Sequence, residues 1–158
     1  MTADGVSMPF DPATIGRPEL QGLYRYWHSR HDGARLPARA DLDPLDIPQL
    51  LPHLMLIDVQ HEPFDLRYRL VGTALVDRMG RDTTGLRVED GYLGDDWPRI
   101  EQDYRTAVFA ARPVLTRNDI KGDRGQRLAY ERLLLPLSGD GKTVDMLVGG
   151  AVFDPVQT

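Results

Sequence analysis

RYRLVGTALVDRMGRDTTG, Arg67 to Gly85, is the stretch on which the fold turns. It opens as a strand, with Tyr68 and Leu70 on one side and Arg67, Arg69 and Val71 on the other, the alternation of a half-buried segment. At Gly72-Thr73 the period changes. Ala74, Leu75, Val76 and Met79 then recur as on a short helix, with Gly72 permitting the tight change of direction and Thr73 capping the helix. Gly80-Arg81-Asp82-Thr83-Thr84-Gly85 breaks the chain again. Strand, helix and turn in so few residues suit a catalytic loop, a phosphate cradle or the wall of a small pocket, and the flanking sequence decides among them.

Upstream, Met55 to Gln60 reads as a strand joined to Asp65–Val71 through a turn at His61-Glu62-Pro63-Phe64. Earlier still, a helix starts at Pro18 and carries Leu20, Leu23, Tyr24, Trp27 and His31 on one face until Gly33 ends it. An extended connector, LPARADLDP, leads to a short helix capped by Asp43 and opened by Pro44, with Leu45, Leu50 and Leu51 inward and Pro48 and Pro52 limiting its length. Downstream, Asp95 or Asp96 caps a long helix running from Asp96 to Arg112. Its stripe is Trp97, Ile100, Tyr104, Val108 and Ala111, and Pro113 ends it. Three strands follow, Val114–Lys121, Gln126–Leu137 and Thr143–Phe153, joined by short glycine-bearing links that imply antiparallel pairing. Gly149-Gly150 suggests a bulge or a close approach.

This order predicts an α+β domain, a five-stranded antiparallel sheet with helices on one face and an N-terminal flanking helix. The expected division is a flexible leader over 1–17, flanking helices over 18–53 and the main domain over 54–158. The other face of the sheet needs cover, from the 18–31 helix or from a second subunit.

Composition narrows the function. The chain has 158 residues, enough for one core, and a formal net charge of −5, which argues against a phosphate backbone as the main partner. Arg67, Arg69, Arg78, Arg81 and Arg87 read as a solvated face rather than an anion site. No apolar run spans a bilayer, and MTADGVSMPFDPATIGR is not a secretory signal, so the expected location is the cytoplasm, with no membrane partner. There are no cysteines, which removes disulfides, thiolate catalysis, cysteine zinc sites and any chromophore that needs a cysteinyl adduct.

Catalytic motifs are missing. GRDTTG lacks the Lys-Ser/Thr of a P-loop and reads as a turn. His28 and His31 are three residues apart but have no third ligand nearby in sequence, so no metal site is expected. Glu89, Asp90, Asp95 and Asp96 lack the ligand spacing of a calcium loop and read as helix capping and solvation. Ser7, Ser29 and Ser138 lie outside any nucleophile motif, no carboxylate pair stands out, and no catalytic residue is assigned.

What remains is apolar lining with polar tips. Tyr68, Leu70, Leu75, Met79, Phe109, Tyr130 and Met146 are the candidate ligand-binding residues, and Leu20, Tyr24 and Trp27 the candidate interface. The alternative for the same residues is a filled core.

Trp27, LPARADLDP at 36–44, YRLVGT at 68–73 and GRDTTG at 80–85 together resemble a bacterial family of short proteins built on a single PAS domain, over about residues 18–153. The resemblance implies a sensor that binds a small apolar or amphipathic metabolite against the sheet and signals to a partner protein through flanking helices, as a homodimer. Flavin photochemistry in such domains uses a cysteine and haem commonly a histidine on the long helix, and this sequence offers neither. The cofactor is left unknown. With no output region recognisable in the chain, the expectation is a sensor whose output is a complex, or an adaptor with a filled core and no ligand. An enzyme on the same scaffold ranks last. A cavity below roughly 300 Å3 favours the adaptor.

Overall fold

The computed structural model describes residues 10–155. Its α-helices are α1 (Pro18–Ser29), α2 (Thr73–Met79) and α3 (Asp96–Phe109). The strands are β1 (Leu54–His61), β2 (Phe64–Val71), β3 (Val114–Lys121), β4 (Arg127–Leu137) and β5 (Met146–Phe153). They form one antiparallel sheet in the order β2-β1-β5-β4-β3. Short 3-10 segments at Pro44–Asp46 and Pro48–His53 replace the single helix expected after Pro44, because Pro48 and Pro52 remove the donors an α-helix would need, and another at Arg39–Asp41 interrupts the connector before it.

As expected, helices lie on one face of the sheet and the N-terminal flanking helix covers the other. On the first face α2 and α3 bury Leu75, Ile100, Tyr104 and Val108 against Met55, Ile57, Leu66, Tyr68, Tyr130 and Leu134. On the second, α1 buries Leu20, Leu23 and Trp27 against Leu133, Leu135, Leu137 and Val148. β4 and β5 are therefore buried on both sides, and their apolar runs do not alternate. Gly150 lets α1 lie close to β5: a Cβ there would stand 2.8 Å from Leu20 Cδ2.

The leader is anchored along its described part. Ile15 is buried in the second core, and the Glu131 carboxylate accepts from the Gly16 and Arg17 amides at 2.8–3.1 Å and from Arg117 Nη2 at 2.6 Å. The expectation of flexibility is corrected for residues 10–17, and the remainder of that segment lies outside the described residues. Leu20 and Trp27, expected at an interface, are 1% and 4% exposed inside the chain's own core. Trp27 Nε1 also donates to the Pro136 carbonyl at 2.9 Å. Tyr24, half-buried, stacks between Phe10 and His28.

Gly72 has a different role from the one read in sequence. Its φ is −65°, open to any residue, but a Cβ would lie 2.3 Å from the Pro52 carbonyl oxygen. Space, not conformational freedom, demands glycine. Thr73 is the first helical residue and does not cap it. Asp95 occupies the N-cap of α3 without a side-chain bond, while Asp96 turns away to accept from the Lys121 amide at 2.7 Å and from Arg99 Nη2 at 2.7 Å, tying α3 to β3. Among the described residues no helix is long and apolar enough to cross a membrane.

Candidate functional site

Between the first face of the sheet and the segment from α2 to the 3-10 turn Val88–Gly91 lies a cavity of about 60 Å3. Met55, Val71, Leu75, Met79, Ile120 and Ala151 line it together with Tyr68, Tyr92, Tyr130 and Arg132, and the surface exposed to it is almost wholly apolar. A water-sized occupant needs roughly 10–15 Å3 on this measure, so the space as it stands takes about four to six. That is far below the roughly 300 Å3 of an ordinary drug-sized pocket, and on that criterion this conformation favours a filled core over a large ligand.

Tyr68, Leu75, Met79 and Tyr130 stand where the sequence reading placed them. Three others do not. Leu70 is corrected by a bulge: Leu56 pairs with Leu70 but Ile57 with Tyr68, so Arg69 is an extra residue and the side chains beyond it change face. Val71 takes the cavity position, and Leu70 turns to the opposite side of the sheet beside Tyr26 and Leu51. Met146 belongs to the second core, because strand parity turns Leu147 rather than Met146 toward the first. Phe109 follows Tyr104 by five residues, about 140° around the helix, and is 58% exposed against Phe64 and His61.

Arg132 was missed by the sequence reading and is the most unusual group in the core. It is 1% exposed. Its Nη2 donates to Asp103 Oδ2 at 2.7 Å, and Nη1 reaches the Tyr92 and Tyr130 hydroxyls at 3.3 and 3.4 Å. The guanidinium carbon lies 4.9 Å from the centre of the Tyr104 ring and 5.7 Å from that of Tyr130, cation–π distances. Nε is buried with no hydrogen-bond partner among the described residues. Burial by itself lowers the Arg132 pKa, but Tyr104, Tyr92, Tyr130 and Asp103 outweigh it, and the pKa ends above the ordinary arginine value.

The tyrosine hydroxyls form a connected group. Tyr92 and Tyr104 oxygens are 2.8 Å apart, and Tyr68 is buried beside Tyr92 on the cavity wall. Burial is the main cause that pushes all three well above the usual phenol value, so they are neutral at neutral pH. They offer hydrogen bonds, not a base. His28 and His31 pack against Tyr24 and Trp27 as part of an aromatic row, and among the described residues no three His, Asp or Glu side chains meet to hold a metal.

A sheet ordered β2-β1-β5-β4-β3, with a cavity walled by the helices between its second and third strands, defines a PAS-type domain. The family model described as "PAS domain" matches residues 16–152, and the chain belongs to that family. None of the curated proteins matches it in sequence. Among solved structures it is similar to a fungal LOV-domain photoreceptor, at 18% identity and a TM-score of 0.56, over 85% of this chain and 91% of that one. A LOV domain examined with a flavin analogue superposes with a TM-score of 0.57 at 12% identity, over 70% of this chain and 83% of that one. The LOV protein of Rhodobacter sphaeroides gives 0.52 at 17% identity, over 65% of this chain and 60% of that one. At such identities the likeness is one of fold.

Proposed function

We propose that the chain is a cytoplasmic sensory PAS domain that takes a small molecule non-covalently into the cavity beside α2. Its output is contact with another protein or with a second copy of itself. The observation that carries this reading is Arg132, a buried arginine beside a cavity, whose Nε–H has no partner among the described residues. A core that served packing alone gains nothing from a desolvated guanidinium, which costs stability unless its donors are met. Tyr68, Leu75, Met79 and Tyr130, expected at a ligand site, line the same space.

Sensing is favoured over catalysis. The lining holds protonated phenols and a charged arginine, with no histidine or carboxylate to take a proton. The cavity's size argues against a flavin in this conformation, and the lack of cysteine removes a cysteinyl adduct.

The cavity's small volume favours a second reading, the ligand-free adaptor. Native mass spectrometry of freshly purified protein, compared with its denatured mass, separates the two. Extra mass that leaves on denaturation is expected for the sensor, and the same spectrum gives the oligomer. A mass equal to the bare chain, unchanged after incubation with a small-molecule extract of the source cells, supports the adaptor instead.

A further inference from the structure

On the reading that the cavity beside α2 takes a ligand, its lining says what kind. Tyr68, Thr83, Tyr92, Tyr130 and Arg132 all border it, yet the surface exposed to it is almost wholly apolar. Several polar atoms of these side chains are engaged with one another. The Tyr92 and Tyr104 oxygens lie 2.8 Å apart. Arg132 Nη1 reaches the Tyr92 and Tyr130 hydroxyls at 3.3 and 3.4 Å, while Nη2 donates to Asp103. What an occupant meets is carbon, including the side chains of Met55, Leu75, Met79 and Ile120.

Against such a surface water finds too few polar partners to be held, and a polar ligand would lose its hydration without hydrogen bonds in return. An apolar molecule has no hydrogen bonds to lose on entering, and it gains dispersion contacts with the surrounding side chains. Volume sets the upper limit. An apolar cavity of about 150 Å3 takes benzene, and about 60 Å3 takes something smaller. Val71, Met79, Tyr92 and Phe153 are half-buried, so the cavity is not sealed from the surface.

We propose that the cavity binds an uncharged apolar molecule smaller than benzene, held by contact alone and with no hydrogen bond to the protein. Leu75 on α2 and Ala151 on β5 set its size. A large apolar side chain at 151 fills the space, and a smaller one at 75 extends it.

Methionine methyl groups report on this directly. Met55 and Met79 line the cavity, while Met146 is buried in the second core and serves as an internal control. The full chain, labelled with methyl-13C methionine, is titrated with xenon, with propane and with ethanol, which matches propane in non-hydrogen atoms but carries a hydroxyl. The expected result is saturable shifts at Met55 and Met79 with xenon and propane, none at Met146, and an affinity for propane about tenfold or more above that for ethanol. Ala151→Leu abolishes the responses to xenon and propane. If that variant does not fold, Leu75→Ala takes its place, and benzene, silent on the natural chain, then gives saturable shifts at Met55 and Met79. Ethanol binding as tightly as propane overturns the apolar occupant, and benzene binding to the natural chain overturns its size limit; in both cases the sensor reading stands. Equal shifts at Met146 mean partition into the whole protein and overturn the site. No saturable shift with any probe, while the native mass spectrum still carries a bound mass, overturns this site alone; no shift together with a bare mass overturns the sensor reading as well.

Discussion

Removing Asp103 should harm the protein more than removing the arginine it serves. The Arg132 side chain is 2% exposed and that of Asp103 29%. In Asp103→Ala the guanidinium keeps its contacts with Tyr92 and Tyr130 but loses its counter-charge where water does not reach. Stranding a buried charge costs about 3–5 kcal/mol. In Arg132→Met the stranded group is a carboxylate on the solvent side of the pair, still accepting from Thr116 Oγ1 at 2.9 Å and able to turn to water. Methionine refills much of the volume, and the cost is about 1–2 kcal/mol. Urea denaturation at neutral pH reads both. With m near 2 kcal/mol/M for a chain of this size, Asp103→Ala lowers the midpoint by roughly 1.5–2.5 M, and Arg132→Met by less than about 1 M. The double variant should sit close to Arg132→Met, because Asp103 has little to do once the arginine is gone. An Arg132→Met loss equal to or larger than that of Asp103→Ala, or a double variant in which the losses add, would refute the argument from unequal burial.

Other outcomes follow from the same packing. Trp27→Ala should behave as a core deletion, costing about 3–5 kcal/mol, because the ring is 4% exposed and its N–H meets Pro136. Sedimentation at micromolar concentration should then show the same species for variant and natural chain, and a change in oligomer without loss of stability would restore an interface role. Gly72→Ala forces a Cβ against the backbone of Pro52 and should cost about 1–3 kcal/mol, lowering Tm by several degrees in calorimetry; an unchanged Tm would mean that the turn at Pro52 moves freely. At high pH the raised hydroxyls of Tyr68, Tyr92 and Tyr104 make the folded chain hold protons that the unfolded chain has lost. Stability is therefore full below about pH 10 and falls as pH climbs above it. Absorbance at 295 nm should show these tyrosines ionising together with the loss of far-UV circular dichroism, and gradual ionisation in a folded chain would contradict their burial.

The order of elements was legible because each rests on local signals. Prolines at 18 and 113 mark a helix start and a helix stop, the change of period at Gly72 opens α2, and paired glycine-bearing links separate the last strands. Facing was harder. The bulge at Arg69 inserts one residue without any local signature, and it moved Leu70 out of the cavity and Val71 in. β4 and β5 are covered on both sides, so their apolar runs lack the alternation that would have separated Met146 from Leu147.

Arg132 escaped notice for the same reason, yet the chain did carry a clue. Within YERLLLPL, residues two apart share a face, so Tyr130, Arg132 and Leu134 go one way and Glu131, Leu133 and Leu135 the other. Two adjacent charges in a strand otherwise apolar on both faces must place one charge in each core. Neither can be solvated by turning the strand, since turning one out turns the other in. Each then needs a dedicated partner set. For Glu131 that set is the backbone entering α1 together with Arg117, and it is complete. For Arg132 it is Asp103 and the phenols, and it leaves Nε without an acceptor among the described residues. The difference between these neighbours is that one charge has a complete partner set and the other is left with an unmet N–H in the core.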